Sequence, residues 1–113
     1  MNGGEAGTLV DIREDKGHKR GLNGLGTVHH VAFRIETNQE QMQLRTHLVD
    51  NLGLKVTELK DRKYFQSIYF RIPGGVLFEV ATVGPGFVVD ESIEHLGEEL
   101  KLPAWEEVNR AQI

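Results

Sequence analysis

A strand that runs straight into a helix sets how any fold of this chain must begin. Residues 27–35 (TVHHVAFRI) are rich in β-branched and aromatic side chains, and leucine then recurs with helical spacing at Leu44, Leu48 and Leu52. Alternation along the strand puts Val28, His30, Ala32 and Arg34 on one face and His29, Val31, Phe33 and Ile35 on the other. The second face is the apolar one, so it is expected to pack on the helix. Thr37 with Glu40, or Asn38 with Gln41, has the spacing of a capping box; Met42 and Val49 widen the leucine stripe, and Gly53 is placed to end the helix. A second strand over 54–59, a charged turn over 60–63, a third strand over 64–72, a tight turn at Pro73-Gly74-Gly75 and a fourth strand over 76–82 complete the order. The last two strands form a hairpin, and Gly84-Pro85-Gly86 closes the sheet.

The order βαβββ over residues 27–82 predicts an α+β fold, one curved four-stranded sheet with the helix on its convex side and the concave side without a partner. The rest of the chain has little with which to cover it. Of 13 glycines, seven fall in the first 26 residues beside the charged run 11–20, so residues 1–26 read as a flexible tail or linker. Within it only residues 8–12 (TLVDI) could form a short strand. Residues 27–83 form the folded module, and 84–113 a polar C-terminal tail with a helix over about 91–100 that Pro103 ends. Its LPAW stretch, with Trp105, is expected to pack back onto the sheet. A foldable part of roughly 85 residues is marginal if it must make a core alone.

Charge and cysteine usage narrow the function. There are 13 Lys and Arg against 17 Asp and Glu, a net charge of −4, which argues against a grip on nucleic acid or an anionic membrane surface as the main business, since both need a basic face. Cysteine is absent, which excludes a disulfide framework, a thiolate metal site and a cysteine nucleophile. Any metal would be held by nitrogen and oxygen. No apolar run approaches the ~18–20 residues of a membrane span, and the N-terminus lacks the basic and apolar parts of a signal peptide. A soluble, cytoplasmic protein is the expectation.

The residues suited to chemistry lie on the concave face. Strand alternation puts His30 there from the first strand and Glu79, with Leu77 and Ala81, from the fourth. A glutamate inside FEVAT has to be paired, protonated or bound to a cation. A histidine and a glutamate converging from neighbouring strands make two legs of a 2-His-1-carboxylate site, the set that holds non-haem iron with positions left open. A buried His–Glu hydrogen bond is the commoner explanation of such a pair, and the spacing alone does not separate the two. Taken by themselves, Tyr69 reads equally as an amphipathic core residue with its hydroxyl at a rim, and Arg62, in KDRK, as a solvated charge. His18, His47 and His95 read as tail or surface residues, and Gly21, Gly24 and Gly26 precede a strand rather than a helix, so they make no nucleotide loop.

Several motifs together go further. GTVHHVAFRI, DRKYFQSIYFRIPGGVLFEVATVGPGF, the following DE and LGEELKLP resemble the last module of the ring-cleaving extradiol dioxygenases of the vicinal oxygen chelate (glyoxalase–bleomycin resistance–dioxygenase) superfamily, in the branch that acts on hydroquinones. The resemblance runs from about Gly7 to the C-terminus, and AGTLVDIRE is similar to the end of the preceding module in those enzymes. It implies a βαβββ glyoxalase-like module with His30 and Glu79 as metal ligands, Fe(II) as the ion, and a small aromatic, hydroquinone-like substrate with dioxygen. It further implies that His29, Arg62 and Tyr69 bind the phenolate and assist proton transfer. These are chemically apt roles: imidazole shuttles protons near neutrality, guanidinium stabilises an oxyanion, and a phenol hydroxyl bonds to a substrate oxygen. His29 sits on the opposite parity to His30, so a twist or bulge must turn it if it works there.

Enzymes of that branch carry several such modules in one chain, and their remaining histidine ligand comes from the first. One histidine and one carboxylate are too few for tight iron binding. The expectation therefore divides: a fragment that lacks part of its site, a partner chain supplying the other module, or a homodimer pairing concave faces about a two-fold axis. The dimer would form a His2Glu2 set suited to Ni, Co, Zn or Mn and to glyoxalase-like lyase or isomerase chemistry. A non-catalytic, resistance-type module that binds an aromatic compound is the remaining reading.

Overall fold

The structure is a computed structural model describing residues 9–19 and 21–113. Strand β1 (Val31–Ile35) leads into helix α1 (Asn38–Asp50), followed by the short β2 (Lys60–Asp61), then β3 (Gln66–Arg71) and β4 (Leu77–Thr82). The four strands form one mixed sheet in the order β1-β4-β3-β2. β1 runs parallel to β4, with Ala32 opposite Glu79, and β3 runs antiparallel to it, with Tyr69 opposite Glu79. Glu79 is therefore flanked on both sides by paired strands. The architecture is the expected α+β one.

Local chemistry accounts for the element boundaries. Of the two possible capping boxes the chain uses Thr37: its hydroxyl accepts from Glu40 N, and the Glu40 carboxylate accepts from Thr37 N. At the other end Gly53, at φ 64°, turns the chain so that its own N–H and that of Leu54 reach the carbonyls of Val49 and Leu48. β1 starts only at Val31, where Phe78 lies opposite; β4 itself begins one residue earlier at Leu77, so the chain before His30 runs past its end, and Val28 is exposed.

Alternation then separates two faces. Phe33, Ile35, Ile68, Phe70, Phe78 and Val80 turn toward α1 and pack with Leu44 and Leu48, with Phe33 and Phe70 edge-on to Phe78 at 4.9 and 5.8 Å. The other face carries Ala32, Ser67, Tyr69, Glu79 and Ala81, and no α-helix among the described residues covers it.

Several expectations are corrected. The helix stripe is Gln41, Leu44 and Leu48, not Leu44, Leu48 and Leu52; Met42 and Val49 are exposed because each follows a buried position and so lies off the inward stripe, and Leu52 because the helix ends at Asp50. Residues 54–59 form no continuous strand. Val56 makes an isolated bridge to Phe70, the Thr57 hydroxyl accepts from Tyr69 N, and regular pairing starts at Lys60, inside the segment expected to be a turn. Leu9 to Ile12 form no strand and are exposed, there being no strand beside them; Thr8 lies outside the described residues. The helix over 91–100 is replaced by a 3-10 turn at Ile93–His95, where Gly97 at φ 83° interrupts the chain soon after. Trp105 is 55% exposed, while the neighbouring Leu102 and Pro103 are half-buried.

Side chains of the turn before β3 hold the C-terminal tail. Lys63 makes an ion pair with Asp90 and donates to Leu102 O at 3.0 Å; Tyr64 donates to Asp90 at 3.2 Å and stacks on Phe87 at 4.8 Å. The hydrogen bond from Lys63 holds the Asp90 carboxyl below its ordinary range, and the same bond raises the Lys63 amine. The radius of gyration is 17.0 Å, against about 13 Å for a compact domain of this length. The described residues before His30 are all exposed and account for part of the excess. No helix among the described residues is long and apolar enough to cross a membrane.

Candidate functional site

Five residues singled out from the sequence come together on the uncovered face, and a sixth joins them. Glu79, at the centre of β4, is 4% exposed. Its Oε2 meets His30 Nε2 at 2.7 Å, and its Oε1 accepts from Tyr69 Oη at 2.7 Å and from Ser67 Oγ. Tyr69 reaches it because the two residues are directly paired across β3 and β4, and Ser67 because it precedes Tyr69 by one full pleat on the same face.

Arg62 comes from the turn between β2 and β3. Its Nε lies 3.4 Å from the Tyr69 hydroxyl and its guanidinium sits 5.4 Å from the centre of the Tyr69 ring, a cation–π arrangement. Backbone bonds fix that turn: Arg62 N donates to Phe65 O, and Lys63 N to the Asp61 carboxylate.

His29 and His30 precede β1, so strand alternation does not hold them on opposite sides. Their rings stand at 90°, 5.1 Å apart, and their Nδ1 atoms are hydrogen-bonded at 2.8 Å. The reorientation that His29 needs thus comes from where the strand starts. Both rings border an open cavity of about 660 Å³ between residues 21–30 and the β3–β4 turn, which Arg71, Val76 and Leu77 also line. Its volume falls within the usual range for small-molecule sites.

The site offers one imidazole nitrogen and one carboxylate oxygen to a cation. Two ligands at about 2.1 Å from one ion lie roughly 3.0 Å apart at a right angle and about 3.4 Å apart in a tetrahedral set, so the observed 2.7 Å has to open by a few tenths of an ångström. The pair fits as two legs of a metal site. No group of three or more His, Cys, Asp or Glu side chains able to hold a metal occurs among the described residues. His18, His47 and His95 take no part in this cluster; His95 pairs with Glu98 on the surface.

Sequence reasoning missed Ser67 and Gln41. Ser67 shared strand and parity with Tyr69, a signal that was available. Gln41 is fully buried beneath the site, donating to the carbonyls of Gln66 and Val80 at 2.9 and 2.8 Å, and only its place one turn before Leu44 hinted at burial.

This geometry has sequence relatives. The chain is 52% identical over 107 residues to the "Putative ring-cleaving dioxygenase MhqE" of Bacillus subtilis, covering 95% of this chain and 34% of that protein. It is 48% identical over 105 residues to the chlorohydroquinone/hydroquinone 1,2-dioxygenase of Sphingobium indicum, covering 89% of this chain and 32% of that protein. The chain is homologous to part of these dioxygenases. It spans about a third of the length of the curated relatives it matches. A crystal structure of a putative dioxygenase from Bacillus subtilis matches 78% of this chain and 28% of its own, with a TM-score of 0.71 and 45% identity. No protein-family model matches.

Proposed function

We propose that this chain supplies part of the metal centre of a ring-cleaving dioxygenase of the hydroquinone type, with Fe(II) as the ion and with His30 and Glu79 as two of its ligands. The observation that carries the reading is the setting of Glu79. It is a buried carboxyl group at the centre of the sheet whose partners are the hydroxyls of Ser67 and Tyr69 and the imidazole of His30, while the Arg62 guanidinium reaches the Tyr69 hydroxyl. A cation beside Oε2 supplies the charge that such a group requires. The homology to a chlorohydroquinone/hydroquinone 1,2-dioxygenase supports the same reading.

When bound, iron(II) would supply the redox chemistry that lets an aromatic diol react with dioxygen. The chain's own residues define what surrounds it. His30 can bind a cation only through an unprotonated Nε2, so the ring proton then sits on Nδ1 and is donated to Nδ1 of His29. His29 consequently keeps its own proton on Nε2, a donor available to a substrate oxygen. Tyr69 and Arg62 offer a hydroxyl and a positive charge on the other side, where a phenolate would be stabilised. The cavity beside His29 and His30 has room for a single substituted ring.

The further histidine must come from outside the described residues: from another module, from a partner chain, or from a second copy of this one. Metal content and stoichiometry of anaerobically purified protein, with oxygen uptake on hydroquinones, test the reading. One iron per chain with uptake supports it. Half a metal per chain without uptake favours a lyase or isomerase site shared by two copies. No metal, with His30→Ala leaving the binding of an aromatic ligand unchanged, refutes both and leaves a binding module.

A further inference from the structure

The two oxygens of Glu79 are not equivalent. Oε1 accepts from two hydroxyls, those of Ser67 and of Tyr69, whereas Oε2 faces His30 Nε2. An ionised carboxylate oxygen has about two lone-pair sites. Those of Oε1 are taken, and Oε2 is left to turn toward the open face. Ser67 is wholly buried, so its hydroxyl has no access to a ligand in the cavity.

We propose that Ser67 is the positioning residue of this site: its hydroxyl anchors Oε1 so that Glu79 presents Oε2 alone to a bound cation. Tyr69 cannot do this by itself. Its hydroxyl, which also accepts from Arg62, is the group that a phenolate would engage, and its proton would then be drawn away from Oε1. Ser67 keeps hold of Oε1 when Tyr69 turns to a ligand. Without Ser67, one lone pair of a buried oxygen is left unfilled, and Oε1 becomes free to rotate toward the cation or to bind it together with Oε2. The cation part of this inference rests on the metal-site reading above; the Ser67–Glu79 anchor belongs to the metal-free chain and is testable there.

The experiment compares the full chain with Ser67→Ala, Ser67→Thr and Glu79→Gln. Co(II) is titrated by its visible absorption, and folding of each variant is checked by circular dichroism. Ser67→Ala is expected to bind Co(II) about 10–100-fold more weakly and with an altered spectrum, as removal of a ligand's hydrogen-bond partner generally does. Ser67→Thr, which keeps the hydroxyl, should recover most of the affinity. Equal affinity and an identical spectrum in Ser67→Ala overturn the proposal. If the unsubstituted chain and Glu79→Gln bind Co(II) alike, the metal reading has failed, and infrared difference spectra then decide the Ser67 anchor on its own. Subtracting Glu79→Gln isolates the Glu79 carboxylate band. A shift of that band in the Ser67→Ala background supports the anchor, and an unmoved band overturns it. Should Ser67→Ala not fold, Ser67→Cys, a weaker donor of similar shape, carries both comparisons.

Discussion

Gln41 is a polar residue in the core that joins the helix to the site, and its replacement by methionine gives a defined test. The side chain is fully buried and its Nε2 donates to the carbonyls of Gln66 and Val80, at 2.9 and 2.8 Å. These carbonyls belong to the residues beside Ser67 and Glu79, so one amide spans β3 and β4 directly behind the cluster. The Gln41 Oε1, by contrast, is buried with no protein partner. Gln41→Met keeps the shape and removes both hydrogen bonds together with the unpaired amide oxygen. Each carbonyl that loses its donor costs about 1–3 kcal/mol, and removing the unpaired amide oxygen returns a similar amount once. Two losses against one gain leave a net destabilisation of about 1–3 kcal/mol, or a fall in Tm on the order of 4–8 °C for each kcal/mol in a domain of this size. Denaturant and thermal unfolding measure it, with the exposed Gln43→Met as a control expected within about 0.5 kcal/mol of the parent chain. A Gln41→Met chain as stable as the parent would refute the reasoning, because the amide would then be a tolerated burden and not a tie between strands.

Other perturbations probe the remaining links. Arg62→Met should lower hydroquinone-dependent oxygen uptake by about 100-fold or more while leaving metal content unchanged, since Arg62 touches Tyr69 and not the ligands; a parallel loss of metal would place it in the ligand set. Thr37→Ala removes the reciprocal capping bonds with Glu40 and should cost about 1 kcal/mol in unfolding free energy, with no change in metal affinity. The Lys63–Asp90 pair gives a pH window. Asp90's folded carboxyl is lowered from 3.8, so its contribution is present above that value and is lost as pH falls through the folded one. Lys63's amine is raised from 10.5, so its contribution is complete below that value and is lost as pH rises through the folded one. The Tm difference between the parent chain and Asp90→Asn should therefore be constant near neutrality and close in strong acid; a difference that persists there would show that the ion pair is not what holds the tail.

What could be read from the sequence was whatever depended on neighbours in the chain. Thr37 and Glu40 lie three positions apart, Gly53 ends a helix by its own backbone freedom, and Pro73-Gly74-Gly75 turns one strand into the next; each acts within a few residues. The period of two put His30 and Glu79 on a common face, and although His30 stands one residue before β1, the structure brings Nε2 and Oε2 to 2.7 Å. What escaped were features whose partners are distant in sequence. Gln41 looks like a surface glutamine until the carbonyls of Gln66 and Val80 are laid beneath it, and residues 54–59 look like a strand although Thr57 spends its hydroxyl on Tyr69 N. The tail failed for an electrostatic reason: Glu91, Glu94, Glu98 and Glu99 crowd like charges where a helix would need i, i+4 support, and Gly97 interrupts them. The site itself divides along the same line. Its acceptor and its donors come from paired strands and a fixed turn, so one module can build them, whereas a complete metal sphere requires a group that the described residues do not hold. A buried Glu79 with hydroxyls on one oxygen and an imidazole on the other is thus what a single βαβββ unit builds by itself, and it is the part of the proposed metal site that this chain would contribute.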